Sequence, residues 1–195
     1  MPATDPAWDL SPQEIQQLES EKPVIQAESV ANSHIKEIHA YIWVKAPPQY
    51  IFNTITDYKK LPEFMPHLDA IKILQHDAAG AQVNYYLGLP FGVEKRYRLQ
   101  LTYAQDPVLE MAWQSIPWQG LEEDETIKDS KGYWRLNPIE HQQQTLIVYY
   151  TKTDPGHVPF GLGWIVKYLT EKTVVDLLTV VKDRAEQAWQ NTVSQ

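Results

Sequence analysis

The spacing of apolar residues changes period several times along the chain. Ser11-Pro12-Gln13-Glu14 reads as a helix cap with proline at the first helical position, and it opens a short helix carrying Ile15 and Leu18 on one face. Two strand-like runs follow at 22–30 and 34–45, the second alternating as HIKEIHAYIWVK, with Ala31-Asn32-Ser33 as the loop between them. A strand has to stop at Ala46-Pro47-Pro48, because proline has no N–H for the ladder. Helical recurrence then takes over at Tyr50/Ile51, Ile55 and Tyr58. Leu61-Pro62 divides this stretch into two short helices, and Met65-Pro66 ends the second. From there the period is two, which predicts strands at 68–76, 81–90, 93–104, 108–116, 126–136 and 144–154. Turns are predicted at 77–80, Phe91-Gly92, 105–107, the acidic 120–125 and Asn137-Pro138, and connections this short make an antiparallel meander. From 161 to about 190 the stripe Leu162, Ile165/Val166, Leu169, Thr173, Leu177, Val180/Val181 and Ala188 predicts one long amphipathic helix.

The strand faces differ in chemistry. Val83, Tyr85, Leu87 and Leu89 share one face, as do Val93, Tyr97, Leu99, Leu101 and Tyr103, while Gln82, Asn84, Arg96, Arg98, Gln100 and Thr102 take the other. Leu109, Met111 and Trp113, then Trp134 and Leu136, then Ile147 and Tyr149 continue the apolar face. The expected fold is α+β: a curved antiparallel sheet of about seven strands wrapped around the C-terminal helix, with two short helices after the first strand. Residues 1–21 are expected to be an N-terminal extension and 22–195 a single domain. Tyr41 and Trp43 lie opposite Ile42 and Val44 and need a cover, which Trp8, Ile15 and Leu18 can supply in cis or a partner in trans.

Charge and composition narrow the function. With 17 basic against 25 acidic residues the net charge is −8, which speaks against a nucleic-acid partner. The absence of cysteine removes disulfides, thiolate nucleophiles and cysteine-held metals. No leader-like or membrane-spanning run stands out, so the expected location is cytoplasmic as given, or periplasmic or secreted if a signal peptide was removed. The six histidines (His34, His39, His67, His76, His141, His157) show no metal-ligand spacing, and no nucleophile elbow, phosphate loop or dinucleotide fingerprint occurs. Neither a metal nor a cofactor is expected. The run 122–125 lacks the ligand pattern of a calcium loop and reads as a solvated loop. The large rings of the apolar face are suited both to a packed core and to the wall of a ligand cavity.

Several short motifs, in order, resemble the START-like, helix-grip proteins (the SRPBCC superfamily) related to birch-pollen allergen. Within them the resemblance is to the bacterial polyketide cyclase/dehydrase and coenzyme Q-binding family. They are Ala46-Pro47-Pro48 with Ile51-Phe52 and Asp57-Tyr58, then Leu61-Pro62-Glu63-Phe64-Met65-Pro66, Gly132-Tyr133-Trp134-Arg135-Leu136, Thr145-Leu146-Ile147-Val148-Tyr149 and Pro159-Phe160-Gly161. The resemblance covers roughly 34–190. It implies a sheet gripping the C-terminal helix around a tunnel for a lipid, isoprenoid quinone, polyketide or similar molecule. It implies no fixed choice between carrier and enzyme.

The expected ligand-binding residues are Tyr85, Leu87, Tyr97, Leu99, Leu101, Trp113, Trp134 and Tyr149 on the sheet, Phe64 and Met65 at the entrance, and Trp164, Tyr168 and Leu169 on the helix. The first reading is a carrier or sensor. A cyclase/aromatase is the alternative, with Lys95, Arg98 or His67 pointing inward to move protons, and a partner-binding protein of a lipid or quinone pathway is the third. Among Lys95, Arg96, Arg98 and Arg135 the sequence alone does not say which reaches the interior. The turns carrying Phe91 and Phe160 are candidates for transient membrane contact, though the net negative charge disfavours strong binding to anionic lipid.

Overall fold

The computed structural model describes residues 10–29, 35–89, 92–139, 143–156 and 171–194. The first helix, α1 (Pro12–Glu19), begins with a reciprocal cap: the Ser11 hydroxyl accepts from the Glu14 N–H, and the Glu14 carboxylate accepts from the Ser11 N–H at 2.7 Å. Strands β1 (Val24–Ser29) and β2 (Lys36–Val44) pair with each other and lead to α2 (Pro48–Thr56), where Pro48 occupies the first turn and needs no N–H partner. The second expected short helix is a single 3-10 turn, Leu61–Glu63, hemmed in by Pro62 and Pro66. Six strands follow: β3 (Leu68–Asp77), β4 (Gly80–Leu89), β5 (Val93–Ala104), β6 (Leu109–Ile116), β7 (Asp129–Ile139) and β8 (Gln144–Asp154). The long helix is α3, described over Glu171–Val193, and its expected start near 161 lies outside the described residues.

The eight strands form one sheet in the order β1-β2-β8-β7-β6-β5-β4-β3, every pairing antiparallel. Each strand lies on one of the strand-like runs read from the sequence, and the leading run at 22–30 supplies the edge strand β1, which brings the expected seven or so to eight. Two boundaries also differ. Residues 126–128 are loop, held by the Arg96 N–H on the Glu125 carbonyl at 2.8 Å and the Lys128 N–H on the Asp154 carbonyl at 3.0 Å. Asn137-Pro138 is strand, not turn. Pairing with β6 ends at Leu136, so Pro138 lies opposite Thr145 of β8 with no β6 neighbour asking for an N–H.

The inner face carries the core. Ile38, Ala40, Ile42 and Val44 of β2, Leu99 and Leu101 of β5, and Trp134 and Leu136 of β7 are buried against Ile51 and Ile55 of α2 and against Val174, Leu178, Val181 and Ala185 of α3. Those four α3 positions recur at three and four residues, the stripe of a helix packed on one side. The sheet is curved: Ile38 of β2 and Leu87 of β4 line one cavity. In a flat sheet the five strand spacings between them would place them roughly 24 Å apart.

The outer face has its own small core of Leu18, Val24, Tyr41, Leu146 and Val148, with Leu10, Trp43 and Tyr133 half-buried around it. The cover for Tyr41 and Trp43 therefore comes from the same chain, through Leu18 at 2% exposure. Ile15, expected on that same face, is 43% exposed, because the single buried position of so short a helix is Leu18. Trp8 lies outside the described residues. A close approach matters in β7. A Cβ on Gly132 would sit 2.1 Å from the Tyr150 carbonyl oxygen and 2.4 Å from Trp113 Cζ2, so only glycine lets the Trp113 ring lie across the strand.

Two outcomes are expected. Deleting residues 1–20 uncovers Tyr41, Leu146 and Val148 and costs at least about 2 kcal/mol, the usual loss for a buried leucine; urea unfolding and size-exclusion chromatography would show lower stability and self-association, and an unchanged midpoint and size would contradict the covering role. Gly132→Ala is expected to cost about 1–3 kcal/mol through overpacking. An unchanged urea midpoint and tryptophan emission would contradict that close packing.

Candidate functional site

A cavity of about 230 Å³ lies between the inner face of the sheet and α3. One water needs only about 10–15 Å³, so the space is many times larger than a single water requires. Its sheet wall is built by alternation. Tyr85, Leu87 and Leu89 come from β4, Lys95, Tyr97, Leu99 and Leu101 from β5, Met111 and Trp113 from β6, Ser130 and Trp134 from β7, and Tyr149, Thr151 and Thr153 from β8. Lys36 and Ile38 of β2 close that side. Opposite stand Thr173, Val174 and Leu177 of α3, Ile55 of α2 and the segment Met65-Pro66-His67-Leu68.

The wall therefore includes nine of the residues expected from the sequence: Met65, Tyr85, Leu87, Tyr97, Leu99, Leu101, Trp113, Trp134 and Tyr149. Phe64 is not among them. It follows the 3-10 turn, half-buried against the core, with its ring under the Arg184 guanidinium, 4.4 Å from the ring centre. Trp164, Tyr168 and Leu169, and the turn residues Phe91 and Phe160, lie outside the described residues.

The rings brace one another across strands. Tyr85 and Tyr97, directly opposite in register, stack with centroids 5.4 Å apart, and Trp134 meets Tyr149 edge-on at 4.7 Å. Burial raises the pKa of all three phenols, that of Tyr149 to about 12, so each stays neutral and offers a hydroxyl.

One end of the cavity is polar. Lys36, Thr153 and Ser130 form a single row across β2, β8 and β7. The Trp113 indole N–H donates to the Ser130 hydroxyl, which shares a hydrogen bond with Thr153, which shares another with Thr151, all at 3.2 Å. Lys95 is 3% exposed and donates to the Thr126 carbonyl at 3.0 Å. Burial lowers the pKa of its ammonium, and Asp124 at longer range opposes this. His67, the last residue before β3, is held at φ 61°, and the Gly88 N–H donates to its carbonyl at 3.1 Å.

Alternation sorts the cations that the sequence left unassigned. Lys95 faces in. Arg96 pairs with Glu125 outside, Arg98 donates to Asn84 at 2.8 Å and rests on Trp118, and Arg135 pairs with Glu110 at 2.8 Å over Tyr133. Arg98 is thus removed from the inward-pointing set. Sequence reasoning missed the polar lining residues Lys36, Ser130, Thr151 and Thr153, along with apolar ones such as Ile38, Met111, Val174 and Leu177. Their signal was present: Thr151 and Thr153 keep the parity of Tyr149, and Ser130 keeps that of Trp134. Among the described residues no group of three His, Asp or Glu is placed to hold a metal, and no helix is long and apolar enough to cross a membrane.

The fold has solved counterparts. The STAR-related lipid transfer protein of Xanthomonas axonopodis superposes with a TM-score of 0.70 at 18% identity, covering 85% of this chain and 94% of that one. Human STARD10 gives 0.72 at 9% identity, covering 94% and 83%, and the Zhui aromatase/cyclase of Streptomyces sp. R1128 gives 0.51 at 16%, covering 82% and 92%. These likenesses establish the helix-grip fold. No curated protein matches the chain. The family model for polyketide cyclase/dehydrase and lipid transport matches residues 44–180, which spans α2, the meander and the first half of α3. The chain therefore belongs to the polyketide cyclase/dehydrase and lipid transport family.

Proposed function

We propose that this protein binds a hydrophobic small molecule, of the lipid, isoprenoid quinone or polyketide-like kind, between sheet and helix, and acts as a carrier or sensor. The observation that carries the reading is the cavity wall itself: aromatic and aliphatic surface interrupted by a few hydroxyls and two lysines. A core that only had to be stable would fill such a space, since an unfilled cavity lined by large side chains costs stability in proportion to its volume. The solved relatives include a STAR-related lipid transfer protein and an aromatase/cyclase, so the fold serves both uses.

The carrier reading is the better supported of the two. With Arg98 turned outward, Lys95 and His67 are the ionisable candidates left from the cyclase reading, and no carboxylate lines the cavity among the described residues to complete an acid–base pair with either. The ligand-contacting residues under this proposal are Met65, Tyr85, Leu87, Tyr97, Leu99, Leu101, Trp113, Trp134 and Tyr149. Trp164, Tyr168 and Leu169 are included on sequence pattern alone.

A fluorescent hydrophobic dye should bind the full-length protein with saturable, one-to-one stoichiometry. Leu177→Trp, which projects bulk from α3 into the space, should weaken that binding at least about tenfold, ~1.4 kcal/mol, without lowering the melting temperature. Dye binding that the tryptophan leaves untouched would place the dye elsewhere and remove the support for this cavity as the binding site.

A further inference from the structure

The charges around the cavity are distributed against the composition of the chain. Acidic residues outnumber basic ones by 25 to 17, yet the described lining holds two lysines, Lys36 and Lys95, and no aspartate or glutamate. Lys95 is the informative one. At 3% exposure its ammonium has left bulk water, and among the described residues its hydrogen-bond partner is one neutral carbonyl, that of Thr126. An ammonium carries three donors, one of which the Thr126 carbonyl accepts, and the Asp124 charge acts on it only at longer range.

A purely structural role does not account for the lysine. The loop that its Thr126 contact would secure is already secured by the Arg96 N–H on the Glu125 carbonyl, the Arg96–Glu125 ion pair and the Lys128 N–H on the Asp154 carbonyl. The cavity wall also holds hydroxyls, which form a chain of their own. The Trp113 indole can only donate, so Ser130 accepts from it and also shares a hydrogen bond with Thr153. Thr153 is bonded in turn to Thr151, and Thr151 to the Tyr149 phenol, so these hydroxyls largely satisfy one another. The charged donor facing the cavity is thus Lys95, with Thr126 accepting one of its three protons.

Resting on the carrier reading above, we propose that the Lys95 end of the cavity seats the negatively charged oxygens of an amphiphilic carboxylic acid, whose apolar chain runs along the aromatic wall toward Leu101 and Met111. A carboxylate matches the donors better than a phosphate ester does. One buried ammonium balances the single charge of a carboxylate, whereas a phosphate monoester carries about two, and no arginine lines the cavity among the described residues to balance the second: Arg96, Arg98 and Arg135 face outward and Arg184 covers Phe64. The length is suitable as well, since six residues of β5 separate Lys95 from Leu101, roughly 20 Å of strand.

The test compares cis-parinaric acid with its methyl ester, by fluorescence titration of the full-length protein at pH 7.5. The acid should bind the parent more tightly than the ester by about ten- to a hundredfold, the usual worth of a hydrogen bond to a charged group. Lys95→Met should remove most of that preference by weakening the acid alone, and Lys95→Gln should do the same while keeping a donor for Thr126. Ester binding doubles as the check that each variant retains its cavity. Equal affinity of acid and ester for the parent would overturn the proposal and leave the carrier reading standing. So would a preference that survives both substitutions, or a loss that strikes acid and ester alike, which would mark Lys95 as structural. Failure of the parent to bind either compound would overturn the carrier reading, and this proposal with it.

Discussion

A wide sheet with one apolar face has to be covered, and in this chain the cover is narrower than the sheet. Eight strands at ~4.8 Å spacing make a surface roughly three times as wide as one helix of ~10–12 Å diameter. Curving the sheet around α3 brings β4 and β2 within reach of one cavity, but one stripe of Val174, Leu178, Val181 and Ala185 still does not fill the trough. The remaining volume lies where α3 presents Thr173, Val174 and Leu177 to the far ends of β7 and β8. The cavity is a consequence of this mismatch, and its lining follows from strand parity. Changing one residue alters the wall, whereas shifting a register would turn the wall inside out.

The far half of α3 is fixed by different chemistry. Lys182, 8% exposed, pairs with Glu186 at 2.9 Å and with Glu21 at 3.5 Å, while Glu186 also accepts the Lys45 N–H at 2.7 Å and Glu21 pairs with Lys45. One small network therefore joins the turn after α1, the end of β2 and the middle of α3. Opposite charges hold the Glu21 carboxyl below its usual pKa. The same N-terminal segment that buries Leu18 on the outside of the sheet thus also reaches the helix inside it. Near its C-terminal end α3 carries Trp189, which packs edge-on against Tyr50 of α2. The helix is held firmly at this end, and the cavity occupies the other.

Much of this was legible in the sequence. Period two over the meander located the strands and separated their faces, and it is why Tyr85, Tyr97, Trp113, Trp134 and Tyr149 share one wall. Where local period is absent, the sequence said less. Phe64 follows a turn pinched between Pro62 and Pro66, and nothing local indicates which way its ring points. Pro138 resembles a turn because the sequence does not reveal that β6 ends before reaching it. The polar end escaped notice for another reason. Serines and threonines at inward positions look like interruptions of an apolar pattern, and only cross-strand register shows that Lys36, Thr153 and Ser130 are neighbours. Parity did hold the answer for the cations, since Lys95 is in step with Tyr97 and Leu99 while Arg96 and Arg98 are in step with Gln100.

The central claim is that the cavity exists to hold a molecule. Native mass spectrometry of freshly purified protein, followed by organic extraction of whatever is released on denaturation, tests it most directly. The account predicts a hydrophobic adduct, at one per chain, that denaturation sets free. A mass equal to that of the bare polypeptide, unchanged after incubation with long-chain amphiphiles, would contradict it and make the aromatic wall a core that happens to pack loosely.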